Sequence, residues 1–224
     1  MRRVRASWLG STDYRQAWDL QAGLVSRMRA DASEDDSLLL LEHPHVFTMG
    51  KAAKAGDVLW SEDERRRRGV DVIWVDRGGE ATYHGPGQLV GYPILDLARL
   101  GMSIRDYLAR LEASLVAYLA TLGIRAEPGA PGLTGVWSDG MKLAAIGIKL
   151  NRSVVSHGFA LNLTADLDYF DGIVPCGHAD LRPTSVEALT GARIETKVAA
   201  RDYAKHFADA FEVEVVWPKA VAAR

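Results

Sequence analysis

Residues 77–92, RGGEATYHGPGQLVGY, constrain this chain more than any other stretch. They hold five glycines, a proline, an arginine and a histidine, between an apolar run at 70–75 and another that carries on to 95. Glycine-dense backbone between strands marks a place where something other than a side chain must come close. Two readings stay open at this level. The stretch is a long hairpin loop, or it is a loop that cradles a substrate, with Arg77 and His84 as polar handles and the glycines leaving room for a ligand chain.

The flanking pattern sets the fold class. Residues 3–9, 37–41, 70–75, 89–95, 134–137, 142–150 and 153–163 read as strands, with Ser138-Asp139-Gly140 as a hairpin turn. Ser11 or Thr12 caps a helix carrying Tyr14, Trp18, Leu24, Val25 and Met28 on one face. Ser103 and Asp106 form a capping box ahead of the stripe Ile104, Tyr107, Leu108, Leu111, Leu115, Tyr118, Leu119 and Leu122, which Gly123 ends. Residues 183–190 form a short helix. Thr196 caps a last helix with Ala200, Tyr203, Phe207 and Phe211 facing inward, followed by a strand at 212–217 and a frayed tail. Residues 31–36, 51–69 and 128–132 read as irregular connections, and 166–170 as a short helix or turn. Strands dominate the middle without βαβ alternation, so the expected class is α+β: a mixed, largely antiparallel sheet flanked by helices.

Bulk properties narrow the function classes. A length of 224 residues allows one domain with a full core, or two small ones. Hydrophobic residues make up 48% and charged residues 25%, and the net charge of -2 gives no general attraction to nucleic acid or anionic membrane. No apolar run approaches the roughly 18 residues a membrane span needs. The basic first ten residues lack the apolar core of a secretory signal, and a single cysteine fits a reducing compartment, so the expected location is cytoplasmic.

Four features carry chemistry. His43 and His45 flank Pro44, which forces a turn; no third ligand follows at metal spacing, so a rim-shaping loop is expected in place of a metal site. Arg65, Arg66, Arg67 and Arg68 are either a solvated face or a docking patch for an acidic protein. Cys176 is either a buried spectator or a nucleophile held at a bend between Pro175 and Gly177. Lys142 opens a strand whose alternate face carries Ala144, Ile146 and Ile148. It either reaches solvent from the strand end or lies on the buried side, where an unpaired ammonium is costly.

Taken together, residues 77–92, Leu41-Glu-His-Pro-His-Val-Phe-Thr-Met-Gly50, Lys142-Leu-Ala-Ala-Ile-Gly147, His157-Gly-Phe-Ala-Leu-Asn162 and Val174-Pro-Cys-Gly177 resemble the signature blocks of the octanoyltransferases of lipoate assembly, in that family's order. The resemblance covers roughly residues 7–190. It implies the biotin/lipoate protein ligase fold, a single catalytic domain over 1–224 with its core at about 30–215, and a small C-terminal subregion near 180–224. It implies transfer of octanoyl from acyl carrier protein to a lysine of lipoyl domains, through a thioester on Cys176, without ATP, metal or cofactor. Lys142 is implied to sit beside Cys176, lowering the thiol's pKa from about 8.5 and then accepting a proton from the incoming amine.

Three segments are implied to bind the acyl chain: Arg77, Gly78, Gly79, Glu80, Ala81, Thr82, Tyr83 and His84; Ala145, Ile146 and Gly147; and Gly158, Phe159 and Ala160. Phe159 would be a wall or floor, and His84 a positioning group. Burial at about 0.8 kcal/mol per methylene favours octanoyl over much shorter chains. The implied acceptors are lipoyl domains of 2-oxoacid dehydrogenase complexes and the glycine cleavage H protein, and the implied state is a monomer. Residues 183–185 and the arginine run depart from the family pattern. Two other classes stay in play: an ATP-dependent lipoate or biotin ligase on the same fold, which needs no cysteine, and a non-catalytic binder of these proteins.

Overall fold

The computed structural model describes residues 2–31, 33–130, 132–174 and 182–218. Cys176 with its Pro-Cys-Gly bend, and the tail from 219, lie outside them.

In chain order the elements are β1 (Arg2–Ser11), α1 (Tyr14–Ala30), β2 (Asp36–Glu42), β3 (Val46–Met49), α2 (Glu62–Arg67), β4 (Asp71–Trp74), β5 (Ala81–His84), β6 (Gln88–Asp96), α3 (Ile104–Thr121), β7 (Glu127–Pro128), β8 (Gly135–Ser138), β9 (Met141–Asn151), β10 (Val154–Asn162), α4 (Val186–Thr190), α5 (Thr196–Phe211) and β11 (Val213–Val216), with 3-10 turns at Ala55–Asp57 and Leu167–Gly172. Eight strands form one sheet in the order β11-β1-β2-β6-β10-β9-β8-β7, and β4-β3-β5 form a second. In the large sheet β1 is parallel to β11 and β2; its other five pairings are antiparallel. The class is α+β, mixed and largely antiparallel, as the strand pattern predicts.

Both faces of the large sheet are covered. α3 and α5 pack on one, where Leu38, Leu89, Val155, Phe159 and Leu161 meet Tyr107, Leu111, Tyr203 and Phe207. α1 packs on the other, where Leu39, Val90, Tyr92 and Ala160 meet Ala17, Leu24 and Met28. That two-sided burial explains why β2 and β6 read as continuous apolar runs. Side by side, β6 and β10 pack closely because Gly91 faces Phe159 across the ladder; a Cβ there would overlap the ring, which lies 4.7 Å from the Tyr203 ring.

Local chemistry accounts for most ends. Ser103 and Asp106 make the capping box of α3, although Ile104 of the expected stripe is exposed. Asp13, and not Ser11 or Thr12, caps α1, because β1 runs to Ser11 and its partner β2 holds that register. Glu195 occupies the cap position of α5, and Thr196 begins the helix with its hydroxyl donating to Glu42. Asp139 (φ 49°) and Gly140 (φ 75°) make the left-handed pair that turns β8 into β9.

Two expectations change. The glycine-rich stretch is half strand: β5 pairs with β3 in the small sheet, and from Gln88 the chain has crossed into β6 of the large one. Residues 51–69 include α2. That helix lacks an apolar stripe and is held by charge, with Glu62, Asp63 and Glu64 in its first turn and Arg65, Arg66 and Arg67 in its last. Arg66 pairs with Glu62 and Asp63, and Arg67 and Arg68 with Glu64, while the Arg68 guanidinium sits 4.4 Å from the Trp60 ring. The charge of the arginine run is therefore largely matched within its own helix.

Candidate active site

A narrow slot opens on the α1 side of the large sheet. Its empty volume, open mouth included, is about 490 Å³. Paired positions of β9 and β10, Ala145 with Ala160 and Gly147 with Gly158, pave it. Residues 77–82 form the opposite wall and are tied down by the Gly78 amide donating to the Ile148 carbonyl at 2.8 Å. Glycine at 147 lets this closure be tight, since a Cβ there would lie 3.1 Å from Arg77 Cδ and 3.2 Å from the Gly78 carbonyl.

Of the three candidate segments, Arg77, Gly78, Gly79, Glu80, Ala81, Thr82, His84, Ala145, Ile146, Gly147, Gly158, Phe159 and Ala160 all line the slot, and so does Lys142. Tyr83 does not line it. Alternation along β5 turns it into the small sheet's core, where it packs with Phe47 and Ile173 and hydrogen-bonds His45 Nδ1 at 2.9 Å. Phe159 alternates with Ala160, so its ring belongs to the core under α5, and only the residue's backbone side meets the slot.

Lys142 reaches the slot through a β-bulge. Val136 pairs with Ala144, but the next residue, Trp137, pairs with Lys142, leaving Leu143 as an extra residue in β9. Leu143 and Ala144 both enter the core under α3, so Lys142 falls on the opposite face. An even count from Ala144, Ile146 and Ile148 puts Lys142 on the core side; the bulge reverses that. Its Nζ lies 5.3 Å from the Trp137 ring centroid. Gly135, at φ 134°, makes room for the stem, since a Cβ there would stand 3.0 Å from Lys142 Cε. The Lys142 amide donates to Arg182 and its carbonyl accepts from Thr184, both at 2.9 Å.

At the other end lies a polar network with a fixed direction. The Thr12 carbonyl can only accept, so His43 donates to it from Nδ1 at 2.7 Å and accepts the Tyr92 hydroxyl at Nε2, also at 2.7 Å. The Tyr92 hydroxyl also meets that of Tyr14. Burial drives the His43 pKa down to about 4 and holds Tyr14 up at about 12, so both stay neutral at pH 7. His157 Nε2 donates to Asp76 Oδ1 at 2.9 Å, and Lys149 binds the other oxygen of that carboxylate. Burial lowers the His157 pKa, and Asp76 only partly offsets this. Burial alone would raise Asp76, but hydrogen bonds from Lys149 and His157 outweigh it and lower its pKa.

Arg77 and His84 meet at Thr48. Arg77 donates to the Thr48 carbonyl at 2.6 Å and its hydroxyl oxygen at 2.8 Å, bracing the slot wall against β3. His84 donates from Nδ1 to Gln88 at 3.3 Å and accepts from Thr48 at 3.4 Å; burial holds its pKa well below the usual value. Sequence reading did not assign Tyr14, Tyr92 or His157 to the site. Tyr14 reads as helix core and Tyr92 as strand core, and nothing local says that their hydroxyls meet. His43 and His45 face different partners, and no group of three metal-binding side chains occurs among the described residues. None of their helices is long and apolar enough to cross a membrane.

The chain matches the family described as the lipoyl protein ligase A/B catalytic domain over residues 13–212. It is 44% identical over 217 residues to an octanoyltransferase of Koribacter versatilis, spanning 93% of this chain and 84% of the relative. To an octanoyltransferase of Solibacter usitatus it is 42% identical over 223 residues, spanning 100% of both. In fold it is similar to a bipartite lipoate protein ligase of Thermoplasma acidophilum, with a TM-score of 0.72 at 15% identity over 98% of this chain and 88% of that one. It is also similar to a biotin protein ligase of Aquifex aeolicus, with a TM-score of 0.51 at 12% identity over 93% of this chain and 69% of that one. At such identities the two structures speak for fold alone.

Proposed function

The chain belongs to the lipoyl protein ligase A/B catalytic domain family, and from that premise we propose how it works: it is an octanoyltransferase of lipoate assembly that carries its cargo on Cys176. The donor is octanoyl-acyl carrier protein. The acceptors are lysines of lipoyl domains of 2-oxoacid dehydrogenase complexes and of the glycine cleavage H protein. One monomeric catalytic domain in the cytoplasm performs both half-reactions without ATP.

The Cys176 thiolate attacks the thioester carbonyl carbon. A new C–S bond forms, the bond to the carrier's sulfur breaks, and the carrier leaves as its thiol with a proton given up by the Lys142 ammonium, which leaves Lys142 as the neutral amine. The acceptor's lysine nitrogen then attacks the acyl-cysteine, the C–S bond to Cys176 breaks, and Lys142 takes the proton that the nitrogen loses. Thioester exchanges for thioester in the first step, so it runs near equilibrium, and amide formation drives the second.

One observation supports the pairing of these two groups above all. Lys142 is turned by its bulge into the slot, and the residues described next after Cys176 in the chain are bonded to its backbone: Arg182, six residues after Cys176, accepts from the Lys142 amide. On the other side of Cys176 in the chain, the Val174 amide donates to the Asp57 carbonyl at 2.8 Å. The apolar and glycine-paved slot beside Lys142 suits an unbranched acyl tail, whose burial at about 0.8 kcal/mol per methylene supplies several kcal/mol of binding.

The test is transfer from octanoyl-acyl carrier protein to a lipoyl domain with and without ATP. Equal transfer in both supports the reading. A strict requirement for ATP, with free octanoate as the better donor, would make the chain a ligase of the kind its structural neighbours represent.

A further inference from the structure

The His157 ring reaches from the slot to the edge of a second groove. On the slot side, the His157 ring meets Tyr14 Oη at 3.5 Å from Nδ1 and stands edge-on to Tyr92 with centroids 6.2 Å apart. On its far side lie Asp76 and Trp18, the Trp18 ring 6.3 Å away. Asp76, Trp18, Gln21 and Lys149 line an outer groove between α1 and β9. His157 lines the slot, and its partner Asp76 lines the groove.

The backbone shows that this placement is built in. Residue 157 belongs by alternation to the α3–α5 face, with Val155 and Phe159. The ladder register sets Pro93 opposite it, and Pro93 has no amide hydrogen to give the His157 carbonyl, so the ladder is interrupted here. The His157 amide leaves the ladder and donates to Gln21 Oε1 at 2.7 Å, and the residue's φ of 56°, left-handed for a non-glycine residue, swings the ring to the α1 side.

We infer that His157, steadied by Asp76 and Tyr14, is the end-stop that sets how long an acyl chain the slot accepts. This rests on the octanoyl-transfer reading. Lys142 stands near one end of the slot and His157 near the other. Along β9 from Lys142 to Ile148, the partner of His157, and across one strand spacing, the backbone separation is roughly 17 Å. Lysine and histidine side chains both project into that span, which leaves room for a medium chain and not a long one. A longer tail would press its methyl end against His157 Nδ1 and Tyr14 Oη, stripping polar atoms without replacing their partners. It cannot push the ring aside cheaply, because Asp76 holds Nε2. Without the ring, slot and groove join.

The experiment compares kcat/KM for hexanoyl-, octanoyl-, decanoyl- and dodecanoyl-acyl carrier protein, with a lipoyl domain as acceptor, in wild type, His157→Gly and His157→Asn. Glycine and asparagine both tolerate the left-handed backbone, and asparagine keeps a polar side chain that fills part of the ring's place. His157→Gly should raise the dodecanoyl-to-octanoyl ratio by about tenfold or more, and His157→Asn by less, a size set by the added methylenes and the polar atoms no longer stripped. The ratio is read in variants that melt cooperatively, and His157→Asn decides if His157→Gly does not fold. An unchanged ratio beside an active wild type overturns the end-stop alone. A wild type inactive on all four donors overturns octanoyl transfer, and the end-stop with it.

Discussion

β9 and β10 lie side by side, and each breaks its alternation once, at opposite ends of the slot. In β9 the break is an inserted residue: Leu143 keeps its place in the core and pushes Lys142 to the other face, where its ammonium lies against Trp137. In β10 the break is a dihedral angle: His157 turns its ring into a buried, fully directed set of hydrogen bonds. Bulging costs little and leaves a long, charged, adaptable side chain at the mouth. A left-handed histidine opposite a proline is strained and is held from three sides. The first device delivers a reactive group, while the second fixes a shape. The contrast teaches that one sheet can host both devices on neighbouring strands.

Substitutions at the two ends should therefore have opposite signatures. The largest effect is expected from Lys142→Ala. It should lower kcat by about a hundredfold to ten-thousandfold, the usual worth of a proton acceptor, with little change in melting temperature. A comparable loss of stability would erase the contrast.

Acid should attack the other end. His43 is held near pKa 4 by burial, against 6.5 for a free histidine, so the unfolded chain binds the proton first as pH falls. The stabilisation is complete above pH 6.5 and is lost as pH falls toward 4, by about 3 kcal/mol for this group. His84 and His157, also lowered chiefly by burial, act in the same direction. Denaturant midpoints across that range should fall steeply in wild type and less so in His43→Asn.

Smaller effects sharpen the picture. Gly135→Ala sets a methyl against the Lys142 stem and the Ala144 carbonyl at a left-handed position, and should cost about 1–3 kcal/mol together with part of the activity. Tyr92→Phe leaves His43 Nε2 without its donor, and should cost about 1–3 kcal/mol while the kcat of the folded fraction changes far less than in Lys142→Ala.

What could be read from the residues follows the range of the forces involved. The α3 capping box, the Asp139-Gly140 turn and the inward face of α5 are set by neighbours within a few positions, and the sequence shows them plainly. α2 is equally local, but it is held by paired charges and so leaves no apolar period to find. Most of the slot lining was legible only through the family resemblance, whose three separated blocks meet around one cavity. Tyr83 and the Phe159 ring point elsewhere because strand alternation overrides membership of a motif. The bulge at Leu143 was hidden, because KLAAIGIKL scans as even alternation and the extra residue exists only in the pairing with β8. Tyr14, Tyr92 and His157 were hidden for the same reason at longer range, since their contacts join α1, β6 and β10.

The claim on which the account depends is that Cys176 holds the acyl group in transit. Intact and peptide mass spectrometry after incubation with octanoyl-acyl carrier protein alone tests it directly. The account predicts one octanoyl group on the peptide bearing Cys176, discharged when a lipoyl domain is added and missing in Cys176→Ser. Steady transfer to the lipoyl domain with no acyl group ever on Cys176, and with Cys176→Ser as active as wild type, would contradict it.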